Sequence, residues 1–121
     1  MPTLSKSSLK YLGECHPDLR KVAHECIKHY DFAVYCGHRS KAAQDKAVRE
    51  KKSKAKWPTS KHNKTPSLAF DAYPLPGPNW NNIPSFHTMA RHMKDAARKV
   101  GVHIRWGGDF KSFFDGPHFE I

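Results

Sequence analysis

The segment from Ser85 to Gly101 has the strongest periodic pattern in this sequence, and it constrains the fold more than any other feature. Its apolar residues recur at helical spacing and share one face: Phe86, Met89, Ala90, Met93, Ala97 and Val100. Gly101 then supplies the flexible residue that ends many helices. A helix with one apolar face must bury that face against a second layer, which the rest of the chain has to provide.

The other segments predict shorter helices and a set of short strands. Helices are predicted at residues 5–12, 17–30 and 40–50, with Pro17 and Ser40 at two of the starts. Strands are predicted at residues 32–36, 68–73, 102–106 and 117–121, with loops at 51–64 and 74–84 and a turn at Gly107-Gly108. This order predicts an α+β fold, in which a small antiparallel sheet packs against three to four helices.

The length and hydrophobicity of the chain predict one domain with one core. The chain has 121 residues, of which 38% are hydrophobic. No apolar run approaches the ~20 residues of a membrane-spanning helix, so we expect no membrane insertion. The beginning, MPTLSKSSLKYLGE, lacks the apolar stretch of a signal peptide, so we expect synthesis in the cytoplasm. We also expect a monomer.

The chain is strongly basic. Lysine and arginine outnumber aspartate and glutamate by 21 to 11, which gives a net charge of +10. An excess of this size favours a polyanionic partner, such as nucleic acid, an anionic cell wall or an anionic membrane surface. Part of the charge lies in KKSKAK at residues 51–56, which has no periodicity and is expected to form an exposed loop.

The cysteine pattern does not indicate a disulfide framework. The chain has three cysteines, Cys15, Cys26 and Cys36, and none of them forms a C-x-x-C pair. An odd number without a secretion signal argues against paired disulfides, and the spacing argues against a zinc finger. We expect buried thiols.

Three residues on or beside predicted strands carry side chains that zinc prefers. His62 precedes a strand, Asp71 lies within that strand in LAFDAY, and His118 lies in the terminal PHFEI. A carboxylate in an apolar strand is costly to bury unless it is paired or binds a metal. Two imidazoles and one carboxylate would leave a fourth tetrahedral position for water, as in catalytic zinc sites. The alternatives are an aspartate on the solvent face of its strand, a loop histidine at 62 and a core histidine at 118.

Two further residues are candidates for roles beside a metal. Asp115 precedes His118 by three residues, and the Gly-Pro turn between them can bring its carboxylate back towards the metal. A carboxylate in that place can take a proton from water. Arg39 follows a predicted strand, where an arginine can clamp a substrate carboxylate or stabilise an oxyanion. A solvated arginine is the alternative in so basic a chain.

Taken in order, the sequence contains G-x-R-S…Q, S-x-H…D and W-G-G-D…D-G-P-H-F-E. This combination resembles the D-alanyl-D-alanine carboxypeptidase-like zinc peptidases, and within them it is most similar to phage endolysins of the L-alanyl-D-glutamate peptidase type. The motifs cover residues 36–121, and the earlier residues match by helix pattern only. The resemblance implies a hedgehog/DD-peptidase-like fold and a zinc-dependent peptidase that acts on the stem peptides of bacterial peptidoglycan.

The resemblance also implies a role for each matching residue. These roles are Zn²⁺ ligation by His62, Asp71 and His118, acid/base catalysis by Asp115, oxyanion stabilisation and substrate positioning by Arg39, and substrate binding by Gln44 and Ser60. The interval from His62 to Asp71 is longer than in the common form of the motif, so NKTPSL must loop out. Asp115 stands where many carboxypeptidase relatives have glutamate, which favours the endolysin type.

Three alternative functions stay open. The first is a carboxypeptidase of the same fold that removes terminal D-alanine. The second is a basic nucleic-acid-binding protein, although the aromatic–basic alternation of stacking platforms is weak here, so we expect no nucleic-acid partner. The third is a module that binds zinc without turnover, against which Asp115 argues because binding needs no base.

The endolysin interpretation carries expectations about organisation and location. We expect residues 1–121 to be one catalytic domain without a separate wall-binding domain, and we expect action on the cell wall after release from the cytoplasm. Among the other histidines, His38 and His103 are expected nearest the cleft. Trp106 is expected in the core rather than in the cleft wall, and Glu120 either beside a ligand or at a strand edge.

Overall fold

The computed structural model describes residues 2–121. Its four helices are α1 (Lys6–Leu12), α2 (Pro17–Cys26), α3 (Lys41–Arg49) and α4 (Ile83–Val100). Its four strands are β1 (Phe32–Cys36), β2 (Ala69–Pro74), β3 (Arg105–Trp106) and β4 (His118–Glu120). Single turns of 3₁₀ helix lie at Lys61–Asn63 and Gly107–Asp109. The α+β class and the small sheet are as predicted.

The four strands form one antiparallel sheet in the order β1-β2-β4-β3. In this register Phe70 lies opposite Phe119, and Asp71 lies opposite His118. Strand β1 has an irregularity, because Val34 pairs with Ala72 and Cys36 pairs with Asp71. The extra residue, Tyr35, has no cross-strand partner in that pairing. Such irregularities re-aim side chains near functional sites.

The two faces of the sheet have different roles because successive side chains on a strand point to opposite sides. Phe70 points to the core and packs on Phe119, with ring centroids 5.6 Å apart. Burial of an aromatic side chain of this size contributes about 1.5–3 kcal/mol. Helices α2 and α4 complete this core, which includes Leu19, Val22, Met89 and Met93. Asp71 points to the other face.

Several element ends differ from the predictions, and side-chain or backbone hydrogen bonds explain them. Helix α4 begins two residues early because the Asn82 side chain caps it by accepting from Ser85 N. The predicted strand at 102–106 is reduced to Arg105–Trp106, because Val102 N donates to Ala97 O and closes the end of α4. Helix α2 ends at Cys26, and the chain then forms a turn up to residue 30.

The cysteines are free thiols. Cys15 and Cys26 are buried as predicted, and burial raises the pKa of each to about 12. Cys36 is only partly buried, unlike the prediction, because it lies at the end of β1 on the face of the sheet away from the core. Within residues 2–121, no helix combines the length and apolarity that a membrane crossing needs.

Candidate active site

The structure brings the three predicted zinc ligands into contact. Asp71 and His118 come from neighbouring strands, and His62 comes from the 3₁₀ turn at Lys61–Asn63. His62 Nε2 lies 3.1 Å from Asp71 Oδ1 and 3.2 Å from His118 Nδ1, and the last two atoms are also 3.2 Å apart. All three residues are buried, so Asp71 does not lie on a solvent-exposed face of its strand.

The hydrogen bonds behind the two imidazoles orient their lone pairs towards one point. His62 Nδ1 lies 2.7 Å from Gly37 O, and a carbonyl can only accept, so Nδ1 carries the proton. His118 Nε2 similarly donates to Glu120 Oε1 at 2.8 Å. Metal-binding histidines usually donate their other nitrogen in this way. The nitrogens that face Asp71, and that would bind a metal once deprotonated, are then His62 Nε2 and His118 Nδ1.

The spacing of these three donor atoms fits a metal ion. Zinc holds its nitrogen and oxygen ligands at about 2.0–2.1 Å, so the edges of a tetrahedral site are roughly 3.3 Å long. The three observed separations of 3.1–3.2 Å approach that value. The residues therefore form a cluster that can hold a metal.

Cys36 offers a second possible set with His62 and Asp71, whose donor atoms also lie within 4.8 Å of one another. However, Cys36 Sγ is 3.8 Å from His62 Nδ1, the nitrogen that already donates to Gly37. A thiolate in that place would approach the protonated side of the imidazole. We therefore favour His118 over Cys36 as the third ligand.

His62, Asp71 and His118 strongly shift one another's pKa values. Burial alone would lower the pKa of each histidine, but the Asp71 carboxylate outweighs it and raises the pKa of His62 to about 10 and of His118 to about 9. Burial alone would raise the pKa of Asp71, but the two histidines hold that pKa far below its usual range. A metal that binds here would therefore have to displace the protons that the Asp71 carboxylate stabilises on the two histidines.

Asp115 lines the same cavity and is held beside the cluster by a glycine. Asp115 N donates to Gly107 O at 3.0 Å, and Asp115 O accepts from His118 N at 3.2 Å. A Cβ at Gly107 would lie 2.2 Å from Asp115 O and 2.9 Å from His118 Cβ, so only glycine permits this approach. Burial and the charge of Asp71 raise the pKa of Asp115 to about 6. A carboxyl group with that pKa can both take and release a proton near neutral pH.

Arg39 is held at the edge of the cluster by two partners. Its Nη2 lies 3.5 Å from Asp71 Oδ2, and its Nη1 donates to Gln44 Oε1 at 2.9 Å. Its backbone N also donates to His62 O at 2.8 Å, which ties it to the ligand turn. Arg39 lines the cavity, so its guanidinium is positioned by the fold while remaining accessible to a substrate.

Gln44 is placed differently from the prediction. We expected it to bind substrate, but its side chain is fully buried and does not line the cavity. Its Oε1 accepts from Arg39 and from Asn63 Nδ2, the latter at 3.1 Å. Its Nε2 donates to Ser53 Oγ at 2.9 Å and to Ala55 O. Gln44 thus links Arg39, the ligand turn and one wall of the cavity.

Ser60 begins the turn that carries His62. Its Oγ accepts from His62 N at 3.2 Å, and Asn63 Oδ1 accepts from Ser60 N at 3.0 Å. This reciprocal arrangement is a capping box, which fixes the start of a helical turn. Ser60 also lines the cavity, so it supports the ligand turn and can reach a substrate.

The cavity above the cluster has a volume of about 830 Å³, within the usual range for ligand sites. Four aromatic residues form one wall of the cavity: Tyr35, Trp80, Phe110 and Phe113. This wall was not identified from the sequence. Trp80, half exposed in a loop, was the strongest available signal, because large exposed aromatics often mark binding sites. Neither His38 nor His103 lines this cavity, contrary to expectation.

Two other predicted residues have clear positions. Trp106 is in the core, where its Nε1 donates to Gly116 O at 2.7 Å. Glu120 contacts both His118 and Arg105, so it is the partner of a candidate ligand rather than a free strand-edge acid.

Known proteins are similar to this chain in sequence and in fold. A family model described as phage L-alanyl-D-glutamate peptidase matches residues 2–121. The L-alanyl-D-glutamate peptidase of Escherichia phage T5 is 27% identical over 130 residues, which cover 96% of this chain and 95% of that protein. The crystal structure of the Serratia marcescens L-Ala D-Glu endopeptidase ChiX superposes with a TM-score of 0.83 at 30% identity, over 98% of this chain and 90% of that one.

The match extends over almost the whole chain rather than a single motif. The matched range, residues 2–121, spans His62, Asp71, Asp115 and His118. The chain belongs to the phage L-alanyl-D-glutamate peptidase family.

Proposed function

We propose that this peptidase is a zinc-dependent endolysin that hydrolyses the L-alanyl-D-glutamate bond of peptidoglycan stem peptides. The observation that carries the proposal is the convergence of His62 Nε2, Asp71 Oδ1 and His118 Nδ1 at tetrahedral spacing beneath a substrate-sized cavity. The names of the phage T5 relative and of ChiX support the choice of bond.

We assign the metal-binding role to His62, Asp71 and His118, and we propose Zn²⁺ as the metal. The mixed nitrogen and oxygen donors suit zinc, and three protein ligands leave one position open. When bound in such a site, zinc polarises a carbonyl and lowers the pKa of water to about 7. The remaining residues of the cavity then act on the substrate and on the protons.

Asp115 is the general base and then the general acid. As a carboxylate it takes one proton from the attacking water, whose oxygen forms a bond to the scissile carbonyl carbon. The carbon–nitrogen bond breaks in the second step, and Asp115 returns the proton to the leaving amine. Its pKa of about 6 matches both halves of this cycle near neutral pH.

Arg39 and Ser60 contact the substrate, and Gln44 positions Arg39. The guanidinium faces the cavity and can donate to the carbonyl oxygen as negative charge develops there. Its bond to Gln44 holds it in place before substrate arrives, so little reorganisation is needed during the reaction. The aromatic wall supplies apolar contact area for the peptide.

We further propose that residues 1–121 act as a single, monomeric catalytic domain made in the host cytoplasm, which reaches the peptidoglycan after release. The basic surface of the chain would then contact the anionic cell wall and not a nucleic acid. Size-exclusion chromatography with light scattering tests the monomer, and a nucleic-acid binding assay at physiological salt tests the partner.

The deciding experiment is mass spectrometry of muropeptides digested by the purified protein. We expect fragments that begin with D-glutamate, loss of activity in a chelator and recovery with added zinc. An Asp115→Asn variant serves as the matched inactive control. Release of D-alanine alone would establish the carboxypeptidase alternative instead, and full activity of rigorously metal-free protein would exclude the metal from the reaction.

A further inference from the structure

Four basic side chains line the active-site cavity, and two of them already have acidic partners. These four are Arg39, Lys52, Lys54 and Lys61. Arg39 is committed to Asp71, and Lys52 Nζ lies 3.2 Å from Glu50 Oε1. Their charges are therefore partly neutralised before a substrate binds.

The other two lysines have no such partner. Among residues 2–121, neither Lys54 nor Lys61 forms an ion pair with a carboxylate. Lys61 is half-buried and directly precedes the candidate ligand His62. Lys54 and Lys61 thus line the cavity without an ion pair, although the charge of Lys61 helps to lower the pKa of Glu120 in the same cavity.

Lys54 is held over the cavity by an aromatic ring. Its Nζ lies 5.0 Å from the ring centroid of Phe113, two residues before Asp115. This cation–π contact joins the basic segment at 51–56 to the segment that carries the general base. The basic segment is itself tied down by Gln44, which donates to Ser53 and Ala55. The ammonium group therefore lies beside Phe113, in the segment that also carries Asp115.

We propose that Lys54 and Lys61 bind the free α-carboxylate of the D-glutamyl residue that follows the scissile bond. The inference rests on the proposed function, because it concerns the same substrate. Peptidoglycan continues from this glutamate through its γ-carboxyl group, so the α-carboxylate remains free beside the bond that is cut. A carboxylate is the group that two unpaired ammonium ions recognise best.

This subsite makes the enzyme specific for a charged substrate. In peptidoglycan whose D-glutamate is amidated, the same position carries a neutral carboxamide. A carboxamide keeps the shape of the group but loses its negative charge, so its hydrogen bonds to the ammonium groups are weaker than those of a carboxylate. The lysines therefore favour non-amidated stem peptides.

The test uses two synthetic peptides that differ at this group alone. Each contains N-acylated L-alanyl-D-glutamate γ-linked to lysine amide, with the α-carboxyl group either free or as the carboxamide. The free carboxylate is then the sole negative charge on the substrate. We expect wild type to show about tenfold higher kcat/KM for the carboxylate peptide, the effect of one charge-assisted hydrogen bond.

The variants locate the origin of that preference. In the Lys54→Gln/Lys61→Gln double variant, we expect the preference for the carboxylate peptide to disappear, so that the two peptides have equal kcat/KM. The ratio of the two kcat/KM values is the readout, because a general disturbance of the site would lower both values by the same factor and leave the ratio at about ten. Lys6→Gln removes the same charge from exposed helix α1, outside the cavity, and should keep the full preference.

Each outcome decides between the proposals. Equal cleavage of the two peptides by wild type, or a preference that persists in the double variant, would overturn the carboxylate subsite and leave the peptidase function standing. Cleavage of neither peptide by wild type, together with no release of D-glutamyl fragments from sacculi, would overturn both.

Discussion

Asp71 and His118 are direct cross-strand partners, and Asp71 Oδ1 lies 3.2 Å from His118 Nδ1 on the face of the sheet opposite the core. The same pairing that stacks Phe70 on Phe119 in the core therefore sets the spacing of two candidate metal ligands. A slip of β4 by one residue would turn His118 into the core and Phe119 towards Asp71. Core packing and the site thus depend on one register.

The two aspartates are expected to respond differently to substitution. Asp71→Ala removes one of the three proposed ligands, so both zinc content and turnover should be lost. Asp115→Asn keeps the shape of the side chain and removes only its proton-accepting function. It should retain about one zinc per chain and lose about 10²–10⁴ in rate, the usual contribution of a positioned acid–base group.

Zinc content by atomic absorption, measured beside turnover of a wall-derived peptide, checks this pair. If Asp115→Asn loses its metal while Asp71→Ala keeps it, the two roles are reversed. Near-normal turnover of Asp115→Asn would assign the proton to another group, with Glu120 the nearest candidate in sequence.

Zinc affinity is expected to rise with pH. The pKa values of His62 and His118 are raised to about 10 and about 9 in the metal-free site, so these histidines hold protons below pH 9. Zinc needs both lone pairs, so its binding releases these protons. Affinity should increase about tenfold per pH unit for each proton released between pH 6 and pH 8.

Competition with a chelating dye at several pH values measures the slope, and calorimetry in two buffers counts the protons. Asp115→Asn should show the same slope, because Asp115 is not among the proposed ligands. Affinity that is flat between pH 6 and pH 8 would mean that the histidines are already neutral in the metal-free protein.

Gly107 is expected to be necessary for the site rather than only for the fold. A Cβ there would collide with Asp115 and with His118 Cβ, so Gly107→Ala should displace both residues and lower zinc retention and turnover together. Gly101→Ala is the matched control. Gly101 has φ of 76° but open space around it, so this change should cost about 1–2 kcal/mol of stability without changing kcat.

Thermal unfolding and steady-state kinetics on both variants separate the two effects. Normal zinc content and normal kcat in Gly107→Ala would show that the segment carrying Asp115 can move without consequence.

The basic surface outside the cavity is expected to promote binding to the anionic wall. Binding to intact sacculi should weaken as salt rises, because charges are screened over ~10 Å at 0.1 M. Cleavage of the soluble carboxamide peptide should change far less. Arg49→Gln/Lys56→Gln removes two exposed charges that do not line the cavity, and it should weaken sacculus binding only. If sacculus binding and peptide cleavage were equally sensitive to salt, the basic charges would act in catalysis or folding rather than in wall binding.

Local patterns in the sequence predicted most of the helices and strands. The spacing of Phe86, Met89 and Met93 predicted which face of α4 is buried in the core. Spacing alone left His62, Asp71 and His118 with alternative roles, and only the resemblance carried by S-x-H…D and D-G-P-H-F-E grouped them as ligands. Helical periodicity and strand alternation are local properties, whereas the meeting of these three residues depends on contacts between distant segments.

Tertiary structure alone decided how these residues are held and what surrounds them. Gly37 O accepts a hydrogen bond from His62 Nδ1 and so fixes the proton on that nitrogen. Gln44 is buried behind Arg39 rather than exposed to substrate. The aromatic wall joins Tyr35 and Trp80 to Phe113, from segments far apart in the chain. Contacts of this kind arise when distant segments pack, so no local pattern encodes them. The sequence determined which groups could react, and the packing of the sheet, the turn and the loops determined where each proton and each charge lies.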